Sequence, residues 1–277
     1  MKKGINIPHL FKLVDLKQKL WLIKQAGFDV CMPTLDPQHE VINYPIEEAV
    51  VYANKIGLSL EFGHAPYKEP DIKEFWSDTK QGDEIEKTYF NTIDIASKFS
   101  LKGIVCHLHY GTNFSLCEVG LNRLRRLANY AKSKNIIIAI ENLYSYEEPT
   151  YIFSHIQHPN LKMCFDCGHE NFLTPNANFL TRLHSHIVAL HLHDNNGVED
   201  EHKTPFTGSV NWNYIVTGLA NVNNVALTLE VKPTPKTNSK NEQELELKQV
   251  LKEQFNALLK LEKQIIEQKN TKQKIVA

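Results

Sequence analysis

IIIAIE at residues 136–141 decides the fold: an apolar, largely β-branched run that stops on a carboxylate. The same design recurs downstream. MCFD at 163–166, IVALH at 187–191 and VALTLE at 225–230 end on Asp166, His191 and Glu230. Runs this apolar suit strands covered on both faces, as in a parallel sheet packed between helices. Working outward, strand-type segments at 3–8, 28–32, 58–62, 102–108, 136–141, 161–166, 187–193 and 224–231 alternate with helix-type segments at 15–26, 46–56, 83–100, 117–134, 147–156, 176–185, 211–220 and 243–268. Eight strand–helix pairs predict an α/β protein, a single-domain (β/α)8 TIM barrel. The competing arrangement, an open doubly wound sheet, needs a glycine-rich turn after its first strand, and GINIPHLF at 4–11 has none. The barrel is expected over 1–269, with 270–277 as a flexible tail. A stripe of Leu245, Val250, Leu251, Phe255, Leu258, Leu259 and Leu261 suits the last helix to docking on the barrel.

Composition narrows the function classes. Of 277 residues, 42% are hydrophobic and 23% charged, and the net charge is −1, so no global positive field calls for a nucleic-acid or anionic-membrane partner. No run approaches a membrane span, and the N-terminus lacks the apolar core of a signal peptide. Cys31, Cys106, Cys117, Cys164 and Cys167 are odd in number and mostly lie in apolar strands, which fits a reduced, cytoplasmic setting. Cys164 and Cys167 form a C-x-x-C, but Cys164 sits inside a strand, whereas redox motifs open a helix.

A residue at the end of a barrel strand faces the mouth, where active sites are built. Neighbouring parallel strands lie ~4.8 Å apart, so Glu141, Asp166, a strand-seven histidine and Glu230 can converge on one ion. Either His191 or His193 can serve, since residues two apart share a face. Three carboxylates and an imidazole suit a divalent cation such as Mn, Co, Mg or Zn. Without one, their burial would cost several kcal/mol per ion. Further ligand-type residues reach the same face: His64, His107, His109, His169, and the D-x-H pair Asp200 and His202. For His64 and His169, substrate hydrogen bonding and metal ligation are equally open readings. His155, His158, His184 and His186 fall on the opposite face and read as structural. Phe11, Tyr67, Trp76, Tyr110 and Phe114 are aromatic candidates for the pocket wall.

FGHAPY (62–67), CHLHYG (106–111), IENL (140–143), FDCGH (165–169), LHLHDNNG (190–197) with DEH (200–202), and TLEVKP (228–233), in this order, resemble the xylose-isomerase-like TIM barrel superfamily. The resemblance spans roughly residues 4 to 260. That group holds sugar and sugar-phosphate isomerases and epimerases, enzymes of inositol catabolism, and endonuclease IV-type nucleases. The resemblance implies a metal site at Glu141, Asp166, Glu230 and either His191, three before Asp194, or the later His193. It makes His169 a substrate contact in epimerases and a ligand in nucleases.

The leading expectation is a metal-dependent isomerase or epimerase of a small carbohydrate. Glu141 and Glu230 would pass a proton as general base and acid across a metal-stabilised enediolate, and His64, His107, His169 and Lys232 would bind substrate. His109, Asp200 and His202 are possible additional metal ligands. The alternative is an endonuclease IV-like zinc phosphodiesterase acting on abasic DNA. Its larger donor set can be drawn from His64, His107, Glu141, Asp166, His169, His191, Asp200, His202 and Glu230. The mixed or acidic mouth loops and the Asp166-Cys167-Gly168-His169 element depart from that nuclease's pattern, so a nucleic-acid partner is not expected. A non-catalytic metal-binding barrel is the third class; the Glu141/Glu230 pair speaks against it. A homo-oligomer is compatible with the family.

Overall fold

The computed structural model describes residues 1–8, 10–35, 46–66 and 71–276. Parallel strands alternate with helices along the chain. The strands are β1 (Lys3–Asn6), β2 (Val30–Met32), β3 (Ser59–Leu60), β4 (Phe62–His64), β5 (Gly103–Cys106), β6 (Ile137–Glu141), β7 (Leu161–Asp166), β8 (Ile187–His191) and β9 (Leu227–Leu229). The third barrel strand is thus two pieces, β3 and β4, broken at Glu61, whose carboxylate is held by Lys2 and Lys102. One sheet runs β3-β2-β1-β9 and the other β4-β5-β6-β7-β8. Two parallel bridges close the ring, Thr34 with His64 and Leu192 with Leu229. The expected TIM barrel is the fold.

Two apolar layers hold it. Met32, Phe62, Val105, Ala139, Cys164 and Ala189 fill the cylinder from inside. The outer faces of the strands pack against helices in one large core. The surrounding helices are α1 (Leu16–Ala26), α2 (Ile46–Lys55), α3 (Lys80–Lys98), α4 (Glu118–Ser133), α5 (Glu148–His155), α6 (Cys167–Phe172), α7 (Phe179–Arg182), α8 (Trp212–Leu219) and α9 (Lys240–Val276). Asp15 caps α1 by accepting from the Gln18 N–H, and Gly27 closes it in the left-handed conformation.

Four details differ from the sequence expectation. Helix α6 begins directly at the end of β7, because the Asp166 carboxylate caps it by accepting from the His169 N–H. The helix expected over 176–185 shrinks to α7, since Asn176 and Asn178 both adopt positive φ. Between the segments expected at 58–62 and 83–100 the chain adds a 3₁₀ turn at Asp71–Trp76, held by the buried Arg123 guanidinium on the Phe75 and Ser77 carbonyls. Helix α9 continues to Val276, through residues expected to form a tail. Its buried stripe is Leu247, Leu251, Leu258, Leu261 and Ile265, while Leu245 and Leu259 face solvent.

Candidate metal centre

The ligand-type residues gather at the C-terminal mouth. Glu141, Asp166 and His191 are the last residues of β6, β7 and β8, and Glu230 follows β9. All four are buried, and their ligand atoms lie within 4.8 Å of one another. His191 Nδ1 sits 3.0 Å from both Glu141 Oε1 and Glu230 Oε2, and 3.8 Å from Asp166 Oδ2. Two asparagines fix this strand-end cluster. Asn6 donates to Glu230 Oε1 at 2.8 Å. Asn142 brackets Asp166, accepting from its N–H and donating to its carbonyl. Neither asparagine is singled out by the sequence reading; Asn142, directly after Glu141, carries a readable signal, whereas Asn6 meets Glu230 only through the fold.

Glu141 also belongs to a second group. Its Oε2 faces His107 Nε2 at 3.1 Å and His64 Nε2 at 3.4 Å, while its Oε1 faces His191 and His169. One carboxylate therefore joins two sets of donors, as a bridging ligand does.

The third group is His169, His193, Asp200 and His202. The Asp200 carboxylate is its hub: His202 Nε2 lies at 2.9 Å, His169 Nε2 at 3.5 Å and His193 Nε2 at 3.8 Å. The His193 and His202 rings stack with centroids 4.1 Å apart. The Asp194 carboxylate anchors the loop that carries this group. It accepts from the N–H groups of Asn195, Thr207 and Val210 and from Trp212 Nε1. Gly168 leaves room for His193: a Cβ there would fall 1.9 Å from His193 Cε1. Asp194 reads from sequence as a turn residue, and its anchoring role became visible only in three dimensions.

Not every candidate joins these groups. His109 points elsewhere, its Nε2 3.2 Å from Glu148 Oε2 and its Nδ1 on the Gly111 carbonyl, both side chains fully buried. The helix-entry carboxylate of Glu148 takes it out of the expected ligand set. His191 and His193, interchangeable by spacing, separate: His191 faces Glu141 and Glu230, while His193 faces Asp166, at 3.1 Å, and the Asp200 hub. Of the aromatic candidates, Phe11 and Trp76 are buried in the core and Tyr67 lies outside the described residues. Tyr110 lines the cavity at the mouth, and Phe114 instead stacks on His109. Cys164 and Cys167 are free, buried thiols, and burial pushes the first up to about 12.

The electrostatics are those of a cation site. Burial pushes the carboxyls of Glu141 and Glu230 up, but facing imidazoles outweigh it and hold both well below the usual range. Burial likewise opposes charge on His169, His191 and His202, yet facing groups win and raise all three: carboxylates for His169 and for His202, to about 9, and Cys164 followed by Glu141 and Glu230 for His191. His107 is lowered instead, because burial there exceeds the pull of Glu141. Carboxylates that draw protons onto neighbouring imidazoles are the groups a divalent cation satisfies, releasing those protons. The donor sets fit such an ion.

The centre opens into a cavity of about 500 Å³. His64, His107, Glu141, His169, Asp200, His202 and Glu230 make its polar floor, and Lys232 stands at its edge.

A family model described as xylose isomerase-like TIM barrel matches residues 20–254. The chain belongs to that family. Members with solved structures share the fold: a D-psicose 3-epimerase with D-tagatose from Clostridium cellulolyticum H10 superposes with a TM-score of 0.74 at 17% identity, over 96% of this chain and 99% of that one. An IOLI protein with a bound zinc atom gives 0.73 at 16%, over 96% and 98%. In sequence, the protein y4fM of Sinorhizobium fredii is 25% identical over 245 residues, 75% of this chain and 78% of its own length. Among the described residues, no helix of this family member is long and apolar enough to cross a membrane.

Proposed function

We propose that the protein is a divalent-metal-dependent isomerase or epimerase of a small carbohydrate. The observation that carries this reading is the convergence of two buried carboxylates, Glu141 and Glu230, on one atom, His191 Nδ1, at 3.0 Å each. Such a pair can remove a proton from one face of a carbon and return it to the other face or to the neighbouring atom. Glu141, Asp166, His191 and Glu230 would hold the cation, which when bound acidifies the C–H beside a carbonyl and stabilises the resulting enediolate charge. Asn6 orients the Glu230 carboxylate through Oε1, leaving Oε2 toward the centre. Glu141 serves as the opposite base or acid, its rotamer fixed by imidazoles on both oxygens. His64, His107 and His169 supply hydrogen bonds for hydroxyls, and Lys232 meets the distal end of the substrate. The fold of the solved sugar epimerases supports the reading, and so does the shape of the cavity. Solvent hydrogen exchange into a panel of ketoses tests it: the metal-loaded protein should label at least one sugar, and Glu230→Gln should stop labelling. A panel that stays unlabelled, with metal bound, defeats the proposal.

A second reading has its own observation. The three donor groups together contain every residue that an abasic-site nuclease of this superfamily would need, now brought within ligand distance in space. That favours more than one metal ion per chain. The cavity lining weighs the other way: Glu199 and Asp200 stand at its mouth with Lys232 as the basic residue among those lining it, a poor match for a phosphate backbone. Metal content and cleavage of abasic duplex DNA separate the readings. Strand scission by metal-replete protein, absent in Asp200→Asn, would establish the nuclease.

A further inference from the structure

The cavity has two unlike halves. Its floor is the polar centre, whereas its wall is Tyr110, Leu143, Tyr144, Phe172, Leu173 and Val198. The Tyr110 and Tyr144 rings meet edge to face with centroids 5.2 Å apart, forming a corner. The fully buried His109–Glu148 pair stands behind it: His109 ties down the Gly111 carbonyl, one residue beyond Tyr110. Val198, at the tip of the loop that carries Asp200, is 71% exposed although it lines the cavity. An exposed apolar side chain continuing a partly buried apolar wall beside a polar floor suits a binding surface.

A free monosaccharide carries hydroxyls around the rim of its ring and is small for a cavity of about 500 Å³. Hydroxyls turned toward Leu143 and Leu173 would lose water and find no hydrogen-bond partner, a cost of about 1–3 kcal/mol each. An aromatic or similarly flat apolar group would instead bury its surface there.

We infer that the substrate is a conjugated sugar, one whose polyol end lies on the floor and whose apolar, ring-shaped substituent lies against the Tyr110–Tyr144 corner and the Leu173–Val198 rim. The inference rests on the sugar reading above and narrows it to aryl-type glycosides whose sugar ring carries a keto group; simple aryl glycosides, which lack that carbonyl, probe binding alone. Equilibrium dialysis of the Mn-loaded protein against phenyl β-D-glucopyranoside and methyl β-D-glucopyranoside tests it. The phenyl glycoside should bind at least tenfold tighter. Val198→Asn, a change at an exposed position that spares the fold, should cut that ratio severalfold, and Leu173→Asn should cut it further. Equal binding of the two glycosides, binding of neither, or a ratio unmoved by both variants would overturn the inference. The sugar reading is judged separately by ketose labelling: labelling with equal glycoside binding removes only the conjugate, whereas abasic DNA cleavage without labelling removes the sugar reading itself.

Discussion

Glu141, Asp166, His191 and Glu230 sit at strand ends and are all buried, whereas Asp200 and His202 ride on a loop and leave the Asp200 side chain 34% exposed. The first group inherits its geometry from the barrel. Strand register fixes it, Asp166 opposite His191 on β7 and β8, and only two asparagines are needed to finish it. The second group depends on a loop that would wander without the Asp194 carboxylate and its four N–H donors. The contrast teaches that a barrel supplies one rigid cluster of donors at little extra cost and that an adjacent one must be built from loop chemistry.

The largest test of this comparison is Glu141→Gln. Glu141 is the member shared by the strand-end group and the His64–His107 pair, so its loss should reach both. Turnover should fall at least ~10³-fold, the scale of losing an essential acid–base group. Steady-state kinetics and metal analysis read the outcome together. Retained turnover would remove Glu141 from the chemistry, and loss of His169–Asp200 occupancy as well would show that the two regions are not independent.

Next comes Asp194→Asn, which sets an amide N–H₂ against donors. A buried hydrogen-bonded carboxylate so replaced costs roughly 3 kcal/mol, and a chain of this size should lose about 5–10 °C in Tm. The loop group should lose its metal while the strand-end group keeps its own, as elemental analysis of the purified variant would report. Gly168→Ala is gentler on the fold and aims at the same distinction. Its new Cβ collides with His193, so occupancy of the loop group should weaken by about 10–100-fold in apparent affinity, the range for disturbed metal support. If both regions lose metal equally in either variant, the division drawn here is wrong.

The same contrast explains what could be read from the chain. Period and polarity show the strands, and a strand's last residue must face the mouth, so the positions of Glu141, Asp166, Glu230 and one of the two strand-seven histidines at that face are legible in the sequence. Asp200 and His202 were legible only as a motif, because no periodicity fixes a loop. His109 was misplaced for a related reason. It lies two residues past His107 and, as a continued strand, would share its face; but β5 ends at Cys106, the alternation stops, and Glu148 captures the ring. His191 and His193 were inseparable by spacing, since β8 ends between them and only the turn after Leu192 separates their partners. Helix α6 was missed because six residues are too few to show a helical period, although Asp166 three before His169 is a capping signal.

The smallest test asks whether clustering, rather than burial alone, keeps the mouth charges in place. Lys19 on α1 is a buried charge outside any donor group, 6% exposed, and burial lowers its ammonium to about 8 despite the partial offset from Asp15. The unfolded chain holds that proton up to about 10.5, so between pH 8 and 10.5 the unfolded state binds more protons than the folded one. Stability from this residue therefore rises with pH across that window, and below pH 8 the full cost of burying the charge is present. Lys19→Met should remove the cost, stabilising the protein at pH 7 by an amount on the order of 1–3 kcal/mol and flattening the alkaline rise. Urea melts at pH 7 and pH 10 measure both effects. The carboxylates at the mouth should behave oppositely, since Glu141→Gln removes a charge that its neighbours need. A variant at Lys19 that destabilises at pH 7 would mean that buried charge is tolerated here without a cluster, and the cation would then be a weaker requirement for the strand-end group than its three carboxylates imply.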